Sequence, residues 1–104
     1  MGYWPEVLQV IPTEDYKVYI YFDDGTIRLY DASELVKFGV FRQLTENGLF
    51  MKGATVLNST LAWTLDGSYN PETCLDLCPD TLYAECPIVD EPGWLFKNYE
   101  ESLE

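Results

Sequence analysis

The chain has 104 residues, with eighteen acidic against six basic side chains and a formal charge of −12. Such a charge disfavours phosphate backbones and anionic membrane surfaces, so no direct nucleic-acid contact is expected, and no apolar run approaches the about 20 residues that span a bilayer. A 47% apolar and 15% aromatic composition suits one packed domain that needs no disulfide framework.

The opening residues Met1 to Glu6 have neither the basic region nor the apolar core of an export signal, and three cysteines fit a reducing compartment. A cytoplasmic location is therefore expected.

In chain order, residues 6–11 form a short β-branched stretch that reads as a strand, stopped by Pro12 and the polar turn Thr13, Glu14, Asp15. Residues 17–22 and 26–30 flank Asp23-Asp24-Gly25, and Asp-Gly supplies the positive φ angles of a two-residue type I′ hairpin turn. With Asp24 and Gly25 as the loop, Phe22 faces Ile27, Tyr21 faces Arg28, Ile20 faces Leu29 and Tyr19 faces Tyr30. This register collects Val18, Ile20, Phe22, Ile27 and Leu29 on one apolar side. It leaves Tyr19, Tyr21, Arg28 and Tyr30 on the other, a candidate partner-binding surface where an Arg can lie over a Tyr ring.

Asp31 can cap a short helix over 32–38, whose Leu35 and Phe38 would share a face, with Gly39 as its stop. Residues 40–44 suggest another helical turn, closed by Asn47-Gly48. A second hairpin, 54–57 with 60–65 around Asn58-Ser59, pairs Val56 with Leu61 and Ala54 with Trp63, and its second strand reads as buried on one side. Asn70 followed by Pro71 marks a helix over 72–77 that Pro79 should end, and Asp80 can cap a last helix over 81–86. Trp63 and Tyr83 read as core. The expected architecture is an α+β domain over 1–86, a small mostly antiparallel sheet of hairpins with short helices packed on it. Residues 87–104 read as an acidic C-terminal extension tied down, if at all, by Trp94, Leu95 and Phe96.

The ordered set Val7, Val10, Pro12, Asp15-Tyr16, Val18, Phe22-Asp23-Asp24-Gly25, Tyr30-Asp31, Gly39-Val40-Phe41, Leu44, Phe50, Trp63 and Pro79-Asp80-Thr81-Leu82-Tyr83 resembles the bacterial family known as domain of unknown function 2442. The resemblance implies a compact α+β domain, found alone or fused to a helix-turn-helix and often encoded beside another small protein in a toxin–antitoxin-like arrangement. It implies no established activity. The stretch 67–75 departs from the family pattern as an insertion.

Two constellations could carry chemistry. Cys74 and Cys78 would share one face of the predicted helix, near enough to share a soft metal, with Cys86 joining from the next. Structural zinc sites usually show four ligands, however, and the chain has no His. Free Cys is more often a small, readily buried hydrophobe, and that is the favoured reading. Asp23-Asp24 before a Gly is explained by turn chemistry. With no His, no Gly-rich phosphate loop and no nucleophile beside a visible base, the chain reads as a non-enzyme without cofactor. The expected role is a protein-binding or regulatory module for another protein, with a basic protein as the candidate partner. A thiol or metal site and an acidic nucleic-acid mimic stand as alternatives.

Overall fold

In a computed structural model that describes residues 5–91, the alternation of residues 17–22 sets the first sheet. Its order is β1 (Val7–Pro12), β2 (Lys17–Phe22) and β3 (Ile27–Asp31), all antiparallel. Val18, Ile20 and Phe22 are at most 2% exposed, so one side of β2 is core. Between Val7 and Gln9 the pairing with β2 shifts. This bulge turns Val7 into the core and leaves Leu8 exposed.

The β2–β3 register differs from the expected one by a single residue. Tyr21 faces Ile27, Ile20 faces Arg28, Tyr19 faces Leu29 and Val18 faces Tyr30. The cause is a three-residue loop. Phe22 donates its N–H to the Thr26 carbonyl at 3.0 Å and accepts that of Gly25 at 3.1 Å. Gly25 takes φ +87° while Asp24 stays outside the positive-φ region that a type I′ turn demands. The Asp24 carboxylate instead accepts the Thr26 amide at 2.9 Å and hydroxyl at 2.6 Å, a local bond that favours this loop. Because the side-chain period of a strand is two, the shift moves Arg28 and Tyr30 to the core side and Ile27 and Leu29 to the side of Tyr19 and Tyr21.

The expected helix over 32–38 is cut to a 3-10 turn, Leu35–Lys37, although the Asp31 carboxylate does accept the Ser33 amide at 3.0 Å. Phe38 is extended, with φ −123° and ψ 140°, and Gly39 follows at φ +55°. Val36 is therefore buried and Phe38 exposed. A second 3-10 segment, Gly39–Thr45, buries Leu44. Asn47 and Gly48, both left-handed, then start α1 (Leu49–Gly53), a helix not foreseen, which buries Phe50.

The second hairpin has the expected pairing: β4 (Ala54–Leu57) and β5 (Thr60–Trp63) join through Asn58 at φ 55° and Ser59 at φ 61°, a type I′ combination, with Val56 facing Leu61 and Ala54 facing Trp63. β5 is buried on both sides, however, not one. Trp63 stacks edge-on to Phe41 at 6.3 Å and tilted to Phe50 at 5.5 Å. On the reverse side the Thr60 hydroxyl donates to the Leu77 carbonyl at 2.7 Å.

Residues 72–77 do not form a helix. Asn70 caps one turn, accepting the Glu72 amide at 2.9 Å, and the chain then becomes β6 (Leu75–Asp76) on the free edge of β5. A sheet edge beside buried β5 satisfies this backbone better than a second helical turn would. Pro79, expected to stop a helix, starts one: α2 (Pro79–Glu85) has Pro at its first position, where a missing N–H costs nothing. Beyond it, Pro87 and Val89 bond to Leu29 and Ile27, so that residues 87–89 flank β3 as a further edge. Val7, Ile20, Phe22, Val36, Leu44, Phe50, Leu61, Trp63 and Leu82 form one core between the sheets and helices, an α+β fold.

A Cβ built at Gly53, where α1 passes into β4, would lie 2.5 Å from the Thr64 carbonyl oxygen. Gly53 also accepts the Thr64 amide at 3.0 Å, so neither backbone can move aside freely. Gly53→Ala should lower the stability by about 1–3 kcal/mol despite the better helix propensity of Ala, a loss that urea denaturation will measure.

Candidate functional site

Arg28, placed inward by the register, is consumed by the fold. Its guanidinium lies 3.9 Å from the Tyr83 ring centroid and 5.8 Å from that of Phe22. It donates to the carbonyls of Tyr83 at 2.9 Å and Cys86 at 3.4 Å, which belong to the unpaired C-terminal end of α2. The Tyr83 hydroxyl in turn donates to Asp24 at 2.5 Å. The hairpin turn, β3 and α2 are thus clamped through one Arg, one Tyr and one Asp. Tyr30 lies half-buried against the core, its hydroxyl pKa raised first by burial. Tyr83, expected in the core, is half-buried and packs against it, edge-on to Phe22 at 5.1 Å.

Removing Arg28 and Tyr30 from the proposed aromatic surface leaves a different one. On the outward side of the first sheet, β1 contributes Gln9 and Ile11, β2 Tyr19 and Tyr21, and β3 Ile27 and Leu29, each pair in register. None of the apolar members belongs to the core cluster. Leu8, in the bulge of β1, is 61% exposed and extends the apolar character at that border, while a bridge to Arg28 puts the 62% exposed Ile88 on the Arg28 side of the sheet. The hairpin end of this face is acidic, bounded by Glu6, Asp23 and Glu91, all exposed. Tyr21 donates to Glu91 at 3.4 Å, and burial followed by the Glu91 charge raises its hydroxyl pKa. Ile27 and Leu29 escaped the sequence reading because it placed them in the core. The signal that would have corrected it is Thr26 two residues after Asp24, the pattern of a side chain bonding its own turn.

The three cysteines are not gathered. Cys74 precedes β6, Cys78 caps the start of α2 and Cys86 ends it, so the shared helical face predicted for Cys74 and Cys78 does not exist. All three are free thiols, and among the described residues no group of three or more His, Cys, Asp or Glu is arranged to hold a metal. Cys78 and Cys86 do line one cavity of about 160 Å³ with Tyr30 and Leu82. That is below the about 300 Å³ of ordinary small-molecule sites. Their environments differ. The Thr81 amide and hydroxyl hold the exposed Cys78 thiol below its ordinary pKa. Burial, then the Glu85 charge, pushes Cys86 up to about 11. Burial raises Cys74 more mildly, with Asp76 adding to it.

A family model described as "Protein of unknown function (DUF2442)" matches residues 7–87. The chain belongs to that family. No curated protein and no solved structure matches it. The stretch shared with DUF2442 contains every strand of both sheets, the Arg28–Tyr83–Asp24 clamp and the outward row of Ile11, Tyr19, Tyr21, Ile27 and Leu29.

The clamp has a pH signature. The hydroxyls of Thr26 and Tyr83 and the Thr26 amide lower the Asp24 pKa from 3.8 to about 2. A depressed carboxyl pKa contributes stability that is complete above 3.8 and is lost as pH falls through about 2. Asp24→Asn should therefore flatten the acid limb of a stability–pH curve between those values. Some slope should remain, because hydrogen bonds to Ser33 and Ser68 lower Asp31 and Asp66 as well. Thiol labelling of the native protein, followed by mass spectrometry, should modify Cys78 first, Cys74 next and Cys86 only on unfolding.

Proposed function

We propose that this DUF2442 protein is a non-catalytic protein-binding module that docks through the outward face of its first sheet. The observation that carries this reading is a row of Ile11, Tyr19, Tyr21, Ile27 and Leu29, half-buried and outside the core cluster, beside an acidic border. Tyr and large aliphatic side chains on a preformed surface give contact area at small entropic cost, and desolvated aromatic anchors carry most of the energy in protein interfaces. The charge of −12 selects the partner class. A basic protein is drawn in by the long-range field, in keeping with the neutralising or accessory role implied by the toxin–antitoxin-like arrangement of similar proteins. Three free thiols fit action in a reducing cytoplasm.

Affinity purification with mass spectrometry will name the partner, and binding kinetics at two salt concentrations then test the reading. Association should slow as salt rises, because attraction is screened over about 8 Å at physiological ionic strength. Tyr21→Ala should speed dissociation by about thirtyfold, the equivalent of about 2 kcal/mol. An unchanged off-rate in folded Tyr21→Ala and Ile27→Ser proteins would remove this face as the binding surface.

A further inference from the structure

We infer that this chain carries a second docking element, the turn around Gly39, and that its occupant is the outward sheet face of another copy. The two 3-10 segments, Leu35–Lys37 and Gly39–Thr45, are anchored by Val36 and Leu44 in the core and by Phe41 against Trp63. Between these anchors the backbone swings out. Phe38 is extended, Gly39 takes φ +55°, and Phe38 and Val40 stand 65% and 54% exposed. The exposed Lys37 and Arg42 flank this apolar pair. Lys37 meets Glu34 at 3.4 Å, whereas the Arg42 guanidinium has no ion-pair partner among the described residues. No acidic residue lies between Glu34 and Glu46, in a chain that has eighteen. An apolar pair rimmed by positive charge is what an apolar face with an acidic border accepts.

The outward face of the first sheet has that composition. Its Tyr19, Tyr21, Ile27 and Leu29 match Phe38 and Val40, and its border of Glu6, Asp23 and Glu91 matches Arg42, which can also lie over a Tyr ring. Both halves of one contact are therefore carried by a single chain. Because the turn and the face are different surfaces, the contact is head-to-tail, and it builds rings or open chains of copies instead of a symmetric pair. The inference rests on the reading of that face as a docking surface, and a second copy there competes with any other partner. A net charge of −12 opposes the encounter at long range. Screening sets the balance, with a Debye length of about 30 Å at 0.01 M salt, about 8 Å at 0.15 M and about 3 Å at 1 M. Added salt removes whole-molecule repulsion first and the close contact of Arg42 with carboxylates only afterwards. Self-association should therefore rise and then fall with salt, whereas capture of a basic partner only falls.

Sedimentation of the full chain at those three salt concentrations should show concentration-dependent growth that is greatest at the middle one. Two double variants, neither of which changes the net charge, assign the surfaces. Phe38→Ser with Val40→Ser removes the turn, and Tyr21→Ala with Ile27→Ser removes the face. Each alone should self-associate at least about tenfold more weakly than the parent chain. Mixed, they should form a one-to-one dimer and nothing larger, because each keeps the half that the other lacks. If the face pair impairs folding, Tyr21→Ala alone serves in the same mixture. A parent chain that stays monomeric at every salt concentration would overturn the inference and leave the basic-partner reading untouched. A face variant that self-associates like the parent, or a mixture that yields no dimer, would overturn it too. A mixed dimer together with an unchanged partner off-rate in Tyr21→Ala would keep the second copy on the face and remove the basic partner from it, so the two failures are distinguishable.

Discussion

One carboxylate, that of Asp24, decides which way every side chain of β3 points. By holding the Thr26 amide and hydroxyl it selects a three-residue loop over a two-residue one. The single-residue difference places Arg28 and Tyr30 inside and Ile27 and Leu29 outside. The same carboxylate receives the Tyr83 hydroxyl through its second oxygen. The atom pair that sets the register thus also tells α2 where to sit. Arg28 completes the arrangement by covering the Tyr83 ring and filling the open carbonyls at the helix end. Lys in its place would keep the charge but lose the planar fork that makes both contacts at once.

This coupling explains how an Arg can point toward a core with the Asp24 carboxylate near enough to feel its charge but no ion pair to it. The backbone carbonyls of Tyr83 and Cys86, the Thr26 hydroxyl and the Tyr83 ring share the guanidinium, which is half-buried. The cost elsewhere is visible at Trp63, whose buried indole N–H has no acceptor among the described residues. An unpaired buried donor costs about 1–3 kcal/mol, which the edge and tilted contacts with Phe41 and Phe50 must outweigh.

How much was legible in the sequence depended on how local the deciding bond was. Asn58-Ser59 has only one good solution, left-handed at both positions, and the second hairpin came out in the predicted register. The strand over 6–11, the α+β class and the family could also be read from residue pattern. Asp24-Gly25 has two solutions, and a side-chain bond two residues away decides between them. At 72–77 the helix-start signature of Asn70 and Pro71 is real but lasts one turn, because β5 offers a free edge that no local pattern reveals. That override dissolved the cysteine constellation, since it depended on helical spacing. The outward face was half legible: Tyr19 and Tyr21 were found, while their neighbours Ile27 and Leu29 needed the true register.

The bond from Leu29 to Pro87 also has a consequence for synthesis on the ribosome. β1, β2 and β3 emerge early and can pair at once, since each is joined to the next by a short turn. The strand that covers the far edge of β3 belongs to residues 87–89, so it leaves the exit tunnel only after both hairpins and α2 have been translated. Throughout that interval the nascent chain presents a bare β edge bearing Ile27 and Leu29, the kind of edge that recruits strands from neighbouring chains.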